Sequence, residues 1–535
     1  MRSNPISEYQ ACLYAAPCLA LAIWGAILHR YTLRGDFIVL GHAIGFTAIY
    51  YALSASASAL SNIALKTSAE IGIVYTLTLI LITLAHRLSP WHPLASYPGP
   101  PLARTTSLWL TYISYTGKRY LILDALHARY GPFLRVGPNT LSINSPNAVP
   151  IYVCAEKSEM YRLPGHYDAS GLFFKQDKPD LERRTVQLLK TLEERQSRTK
   201  DGFVEMSEPM YHWAHDFTGD MVFGGCNKYE LMKNGDKRSI VGTGKRAMAM
   251  MDSLGQSPWL LDILWHLPFT ARMRRHGDHA IEMMHKRVEA VDLPGYRDLA
   301  SYLIDGGVSG LDLDADAVVA IVGGSDNTSI TVTFAMYFLL ATPEFYLRLR
   351  KELDAAFPDP AVPLSLNKLA ELGFLDGVIN ETLRLASPYF NPRVIGRGGS
   401  VVDGRYIPEG TVVALAAHSQ QVSPDNFYPS PQEFLPDRWL PDGLGPETKT
   451  NKAMLASFSY GAHSCIGKVL AYHQMRLALA RLLLAFDFEL QKGFDVAGFR
   501  SGILNMRTMF LEKELYVRVT RRPGVDLDAL TEAVA

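Results

Sequence analysis

Phe458-Ser459-Tyr460-Gly461-Ala462-His463-Ser464-Cys465-Ile466-Gly467 is the stretch on which the reading of this chain turns. It precedes an apolar run with helical character, Lys468 to Phe486. Two glycines flank one cysteine, and a potentially cationic residue, His463, stands two positions before the sulfur. Gly461 and Gly467 let the backbone turn tightly and approach a flat ligand closely. Cys465 then stands where a helix begins, and the amide groups and positive dipole end there favour a thiolate. A thiolate held in this way is an axial ligand of haem iron. A bare C-x-G usually marks an ordinary buried cysteine; the whole ten-residue pattern is far more specific.

Three upstream segments bear on the same site. Asp316 to Leu340 is the longest apolar helical run outside the N-terminal region, and Gly323-Gly324-Ser325-Asp326-Asn327-Thr328-Ser329 interrupts it. Two glycines inside a helix cost roughly 1 kcal/mol each relative to alanine, and a buried acid and hydroxyls need partners. Together they predict a locally widened helix facing a ligand; a glycine kink with a satisfied polar cluster is the plainer alternative. Glu381-Thr382-Leu383-Arg384 sets a carboxylate and a guanidinium at i and i+3 on one helix face, Leu375 to Leu385. Alone such a pair is usually a weak surface contact. Pro436-Asp437-Arg438-Trp439 then adds a second arginine suited to bidentate pairing.

In this order the segments resemble the signatures of the cytochrome P450 superfamily of haem-thiolate monooxygenases, and the chain looks like its membrane-bound fungal members. The resemblance implies a mainly α fold with a small β-rich lobe and haem b (iron protoporphyrin IX) between the glycine-interrupted helix and the Cys465 loop. Cys465 is then the metal ligand, with Phe458, Gly461 and Gly467 shaping its loop and Gly323 and Gly324 the oxygen groove. Asp326, Asn327 and Thr328 take the positions of the oxygen-activation motif. Arg393, with Arg397 as runner-up, and His463 match positions that hold haem propionates, while Glu381, Arg384 and Arg438 form a structural lock. Tyr389 and Phe390 are candidate substrate contacts or core. The implied reaction inserts one atom of O₂ into an apolar small molecule, by analogy a terpenoid or another secondary metabolite. Electrons would come from NADPH through NADPH–cytochrome P450 reductase.

The pattern departs from the family in two places. Asn327 stands where a threonine is usual, and an amide is a poor proton relay where a hydroxyl both accepts and donates. After Phe173-Phe174, the helix that carries a Trp-x-x-x-Arg pattern in relatives is not found, and Gln176 to Asp180 leads directly into the amphipathic run Leu181 to Arg195. Two further readings therefore stay open beside the monooxygenase: a reductase-independent haem-thiolate isomerase or dehydratase, and an inactive membrane haem protein.

The 535 residues are enough for one large catalytic domain. Lysine plus arginine equal aspartate plus glutamate at 53 each, which gives no electrostatic case for nucleic acid as a partner. The five cysteines (Cys12, Cys18, Cys154, Cys226, Cys465) have no paired spacing, so neither a disulfide framework nor a zinc site is indicated. Ala11 to Leu28, Phe37 to Leu60 and Ile71 to Ala85 are apolar, and a bilayer core takes about 20 such residues. About three transmembrane segments are expected in a membrane anchor over residues 1–87, followed by a proline-rich hinge over 88–104 and the catalytic domain over 105–535. Arg30, Arg34 and Arg87 place the first connection and the catalytic domain on the cytoplasmic side. A multi-pass protein of the endoplasmic reticulum membrane is the expected location.

Within the remainder, Trp91 to Pro101 predicts a stiff connector, with Trp91 and Tyr97 as candidate interfacial anchors. Tyr120 to Tyr130 reads as a helix, Phe133–Gly137 and Thr140–Ile143 as short strands, and Val401 to Ala417 as a β-meander. The Met- and Trp-rich run Met248 to Leu267 reads as core or as channel lining.

Overall fold

In a computed structural model the chain is described at residues 5–29, 31, 33–56, 61–158, 181–225, 230–290, 297–386, 390–505 and 509–534. Three helices come first: α1 (Pro5–Ile23), α2 (Gly35–Ser56) and α3 (Ser61–Leu88). Among the described residues two stretches, Gly35–Ala55 and Ala64–Leu88, are helical, long and apolar enough to cross a membrane; the first apolar run gives a shorter helical stretch, Leu13–Leu28. The start of α2 is seated on the body of the protein: Gly35 N–H donates to Asp262 Oδ2 at 3.2 Å, and a Cβ on Gly35 would stand 1.8 Å from the Trp259 carbonyl oxygen.

The connector after α3 is pinned rather than free. Arg135 N–H donates to Pro98 O at 2.7 Å. Trp91 is exposed, but Tyr97 is 4% exposed and its hydroxyl donates to Tyr406 O at 2.8 Å. Tyr97 is thus part of the small sheet's core and not an interfacial anchor. The short helix α4 (Pro101–Thr105) and α5 (Arg119–Tyr130) lead to β1 (Phe133–Gly137) and β2 (Thr140–Ile143), which pair antiparallel as expected. With β3 (Glu156–Lys157), β4 (Arg393–Val394) and β7 (Val412–Leu415) they form one sheet in the order β1-β2-β7-β4-β3. The expected meander is split. Only β5 (Ser400–Val402) and β6 (Arg405–Ile407) form a hairpin, while β7 runs parallel to β2, with Thr140 opposite Val412 and Ile143 opposite Leu415. Val413 and Leu415 of β7 are enclosed with Leu141 and Ile143 of β2, while the hairpin gives only Val402 and Ile407 to that core and leaves Val401 and Tyr406 exposed.

The helical body is built from α6 (Leu181–Ser197), α7 (Ser207–Phe223), α8 (Ile240–Gly255), α9 (Pro258–Leu264), α10 (Gly310–Ala341), α11 (Gly373–Ala386) and α12 (Lys468–Ala485). One continuous apolar core joins α6, α7, α10, α11 and α12. The helix α10 is the longest of these at 32 residues, and its C-terminal half is enclosed on every side. The Met-rich run lies mostly in the interior: Met248, Met251 and Leu261 pack with Phe510. The Trp-x-x-x-Arg question falls on residues 159–180 and so lies outside the described residues.

Candidate active site

The Cys465 loop is held by its own backbone and by α11. Gly461 has φ +66°, a left-handed conformation that glycine takes at little cost, and it opens a single 3₁₀ turn, Gly461–His463. Cys465 N–H donates to Phe458 O at 2.6 Å and Ser464 N–H to Gly461 O at 3.0 Å. Ser457 Oγ donates to Leu383 O at 3.1 Å, fixing the approach to the loop against α11. Phe458 lies against Tyr472, whose hydroxyl bonds Asn380 Oδ1 at 2.6 Å. With α12 starting at Lys468, the sulfur stands just ahead of the helix N-terminus, as the sequence predicts.

Across from the loop runs α10, and a cavity of about 390 Å³ lies between them. One wall is Gly323, Gly324, Asn327, Thr328 and Thr331; the other is Phe458 and Ala462 to Gly467, so Cys465 and His463 both line it. Leu383, Leu470, Ala471 and Met475 complete an apolar surround. Volume and apolar lining are those of a small-molecule or cofactor site.

The residues present fit haem. Nothing stands within 4 Å of where a Gly323 Cβ would be, which leaves the α10 wall open to a flat group. At Gly467 the nearest neighbour of an added Cβ is Cys465 Sγ at 3.9 Å, and both residues line the cavity. Gln474, 2% exposed, also lines the cavity, and its Nε2 is a buried donor with no hydrogen-bond partner. A carboxylate-bearing ligand would meet that donor. Gln474 is not among the residues that the sequence singles out: it stands among other polar residues of α12, such as His473 and Arg476, and so carries no distinct signal.

Gly324 has a different role from its neighbour. A Cβ there would stand 2.8 Å from Thr218 Cγ2 of α7, so this glycine allows the close approach of α7 and α10. Asp326 also faces away from the cavity wall. It is 5% exposed, and its Oδ1 lies 3.8 Å from His215 Nε2 on α7. Burial raises its carboxyl to about 7, an effect only partly offset by the Lys245 ammonium and by Ser325. Burial likewise holds Lys245 below its ordinary range, and its Nζ lies 3.6 Å from the Tyr211 ring centroid. Of the three candidate catalytic residues, Asn327 and Thr328 line the cavity and Asp326 belongs to a polar cluster behind it.

Arg393 is buried beside the loop rather than on the cavity wall: Nη2 donates to Ser459 Oγ at 3.1 Å, and the guanidinium stacks over Tyr152 at 4.9 Å. Arg397 is exposed on the β-rich side. Phe390 is buried under the Arg119 guanidinium and packs with Leu123 and Leu134, a core position; Tyr389 lies outside the described residues.

Beneath the loop the structural cluster assembles in full. Arg384 Nε and Nη2 donate to the two Glu381 oxygens at 2.8 Å each. Arg438 Nε donates to Oε1 at 2.9 Å, and Trp439 Nε1 to Oε2 at 2.9 Å. Glu381, Arg384 and Arg438 are all nearly inaccessible. Remaining guanidinium donors bond carbonyls of Gln421, Pro429 and Ser430, tying the segment after β7 to α11.

Comparison with known proteins gives the same assignment. The family profile described as Cytochrome P450 matches residues 169–506. Cytochrome P450 monooxygenase cpaH of Aspergillus oryzae is 29% identical over 443 residues, covering 76% of this chain and 85% of the relative. Averantin hydroxylase of Dothistroma septosporum is 28% identical over 461 residues (78% and 85%). Trichothecene C-15 hydroxylase of Fusarium sporotrichioides is 27% identical over 470 residues (80% and 93%). A thiol opposite a glycine-opened helix, with the buried Glu381 cluster below it, is therefore more than a local likeness: the chain belongs to the cytochrome P450 family, whose members carry haem on a cysteine thiolate and work as monooxygenases on small molecules with a redox partner.

Proposed function

We propose that this protein is a membrane-anchored haem-thiolate monooxygenase that hydroxylates or otherwise oxidises an apolar secondary metabolite, with electrons from NADPH delivered by NADPH–cytochrome P450 reductase. The observation that carries the reading is the position of the Cys465 thiol across the cavity from Gly323, Asn327 and Thr328. Haem b bound there supplies the iron that activates O₂ for transfer of one atom to the substrate. The chain's own groups do the rest. Cys465, ahead of a helix N-terminus, is favoured as thiolate. Apolar side chains on both walls exclude water and select apolar substrates. Gln474 and His463, both on the lining, offer donors to carboxylates at the cofactor's edge, and Arg393 braces the loop from behind through Ser459. Asn327 positions water between the cavity and Asp326, which holds a proton near neutral pH.

Two features support an endoplasmic-reticulum, multi-pass setting with a cytoplasmic catalytic domain: the apolar N-terminal helices and the arginine-bearing connections. Hydroxylation of a terpenoid or another secondary metabolite is supported by analogy with the averantin hydroxylase and trichothecene C-15 hydroxylase among the relatives. The test is the reduced, carbon-monoxide-bound spectrum of the full chain. A thiolate-type Soret band is expected in the wild type and is expected to vanish in Cys465→His; a wild type without that band overturns the proposal. Product formation that needs both NADPH and reductase separates it from an isomerase or dehydratase.

A further inference from the structure

The second apolar helix begins on the catalytic body. Gly35 N–H donates to Asp262 Oδ2, 227 positions away in sequence, and Asp262 is 2% exposed. A carboxyl group buried that deeply needs such a donor. The two backbones also touch, since any Cβ on Gly35 would run into the Trp259 carbonyl. Asp36 carries the contact to the turn after α9. Its Oδ2 lies 3.4 Å from His266 Nε2, while Arg34 Nε and Nη2 donate to the same carboxylate at 3.1 and 2.6 Å. From Trp259 to His266, α9 and the turn that follows thus lie along the start of α2. Further on, α2 meets α3, with the His42 and Tyr75 rings 5.5 Å apart, and none of its apolar span is buried by the protein.

Other contacts fix where α9 starts. Ser257 Oγ donates to Ser107 Oγ at 2.6 Å and lies 2.8 Å from Thr111 Oγ1, and Trp259 Nε1 donates to Ser107 Oγ at 3.4 Å. Leu261 of α9 packs with Met248 and Met251 of α8, and Val322 of α10 lies against the same apolar cluster. The next residue of α10, Gly323, lines the Cys465 cavity. Packed contacts therefore run from the first residue of α2, through α9 and α8, to the wall of that cavity. Among the described residues that line it, none belongs to α2, α8 or α9.

We propose that the start of α2 is a clamp: its seat on Trp259 and Asp262 holds α8 and α9 against α10 and so limits the passage of small molecules to the Cys465 cavity. The second membrane helix is then a working part of the catalytic body as well as a tether. Segments held by few bonds open locally most readily, and here one buried hydrogen bond and one close backbone approach do the holding.

The experiment compares single variants of the full chain in phosphatidylcholine nanodiscs. Gly35→Val drives a side chain into the Trp259 carbonyl and breaks the seat without altering the catalytic body. Gly41→Val is the control, because nothing stands within 4 Å of a Cβ at that position of the same helix. Amide hydrogen exchange in α9 should rise about tenfold in Gly35→Val, the order expected for loss of one buried hydrogen bond to a carboxyl group, and stay at the wild-type rate in Gly41→Val. Carbon monoxide probes the passage: its bimolecular recombination with the reduced protein after flash photolysis should quicken about two- to fivefold in Gly35→Val and not in Gly41→Val. Should Gly35→Val fail to fold, Asp262→Asn, which keeps the shape and weakens the acceptor, is read in the same two ways. Unchanged exchange in α9, faster exchange with unchanged recombination, or an equal effect of Gly41→Val would each overturn the proposal. The exchange measurement needs no haem, so failure of the haem-thiolate reading would show separately, as a missing carbon-monoxide band, and exchange would then decide the clamp.

Discussion

His215 Nε2 and Asp326 Oδ1 face each other at 3.8 Å across the α7–α10 interface, with Ser325 Oγ a further partner of the imidazole at 3.3 Å. The pair is buried where Gly324 lets the two helices meet. Burial raises the Asp326 carboxyl from 3.8 to about 7. Between those values the folded state binds more protons than the unfolded one, so this group makes the protein less stable as pH rises from about 4 to about 7, with the full cost present above 7. Asp326→Asn removes the titrating group and keeps its shape. The variant should gain more in Tm over the wild type at pH 8 than at pH 5. An equal gain at both values would mean that Asp326 is ionised throughout, held by Lys245 and His215.

Asn327 occupies the cavity wall that Asp326 turns away from, so any proton passing between them must travel through water or through Thr328. An amide can orient such a water, yet it does not exchange protons as a hydroxyl does. Asn327→Thr should lower the hydrogen peroxide released per NADPH consumed in the reductase-coupled enzyme, by about two- to tenfold, which corresponds to roughly 0.4–1.4 kcal/mol in the competing step. Leakage that is unchanged or higher would show that Asn327 is not the limiting feature of the relay.

Much of this arrangement could be read from the sequence because it depends on local spacing. The Cys465 loop, the partners of Glu381 and the strands β1 and β2 each follow from residues within one short segment or from one pair of segments. The face of α10 was also legible in principle: Gly324, Asn327, Thr328 and Thr331 recur at helical intervals, which puts Asp326 on another face. Reading the motif as a unit, rather than as a helix surface, hid that difference. Other features were out of reach because they depend on contacts distant in sequence. Tyr97 is buried in a core shared with Phe133 and Ile407, and its hydroxyl finds its acceptor on Tyr406, 309 positions away. The meander breaks at β7 because β2 provides a parallel partner and an enclosed apolar face, which no periodicity within residues 401–417 announces.

Glu381 accepts from four side-chain donors, Arg384 Nε and Nη2, Arg438 Nε and Trp439 Nε1, and from the Leu435 N–H at 3.0 Å. Replacing it with glutamine leaves two buried guanidiniums facing a neutral amide that offers one acceptor oxygen. Breaking a buried pair in this way costs about 3–5 kcal/mol, because the remaining charge keeps its desolvation penalty. The cost falls on the segments that Arg384 and Arg438 tie to α11, and through Ser457 and Leu383 on the approach to the Cys465 loop. Glu381→Gln should therefore yield protein with little bound haem and no thiolate-type carbon-monoxide band, although Cys465 is untouched. Arg384→Lys keeps the charge but not the two parallel bonds to Glu381, and it should fail in the same way if geometry is what the cluster provides. Rescue of haem content by the lysine would instead assign the cluster a purely electrostatic role. The measurement is haem per polypeptide in the purified full chain, read beside the Tm of each variant.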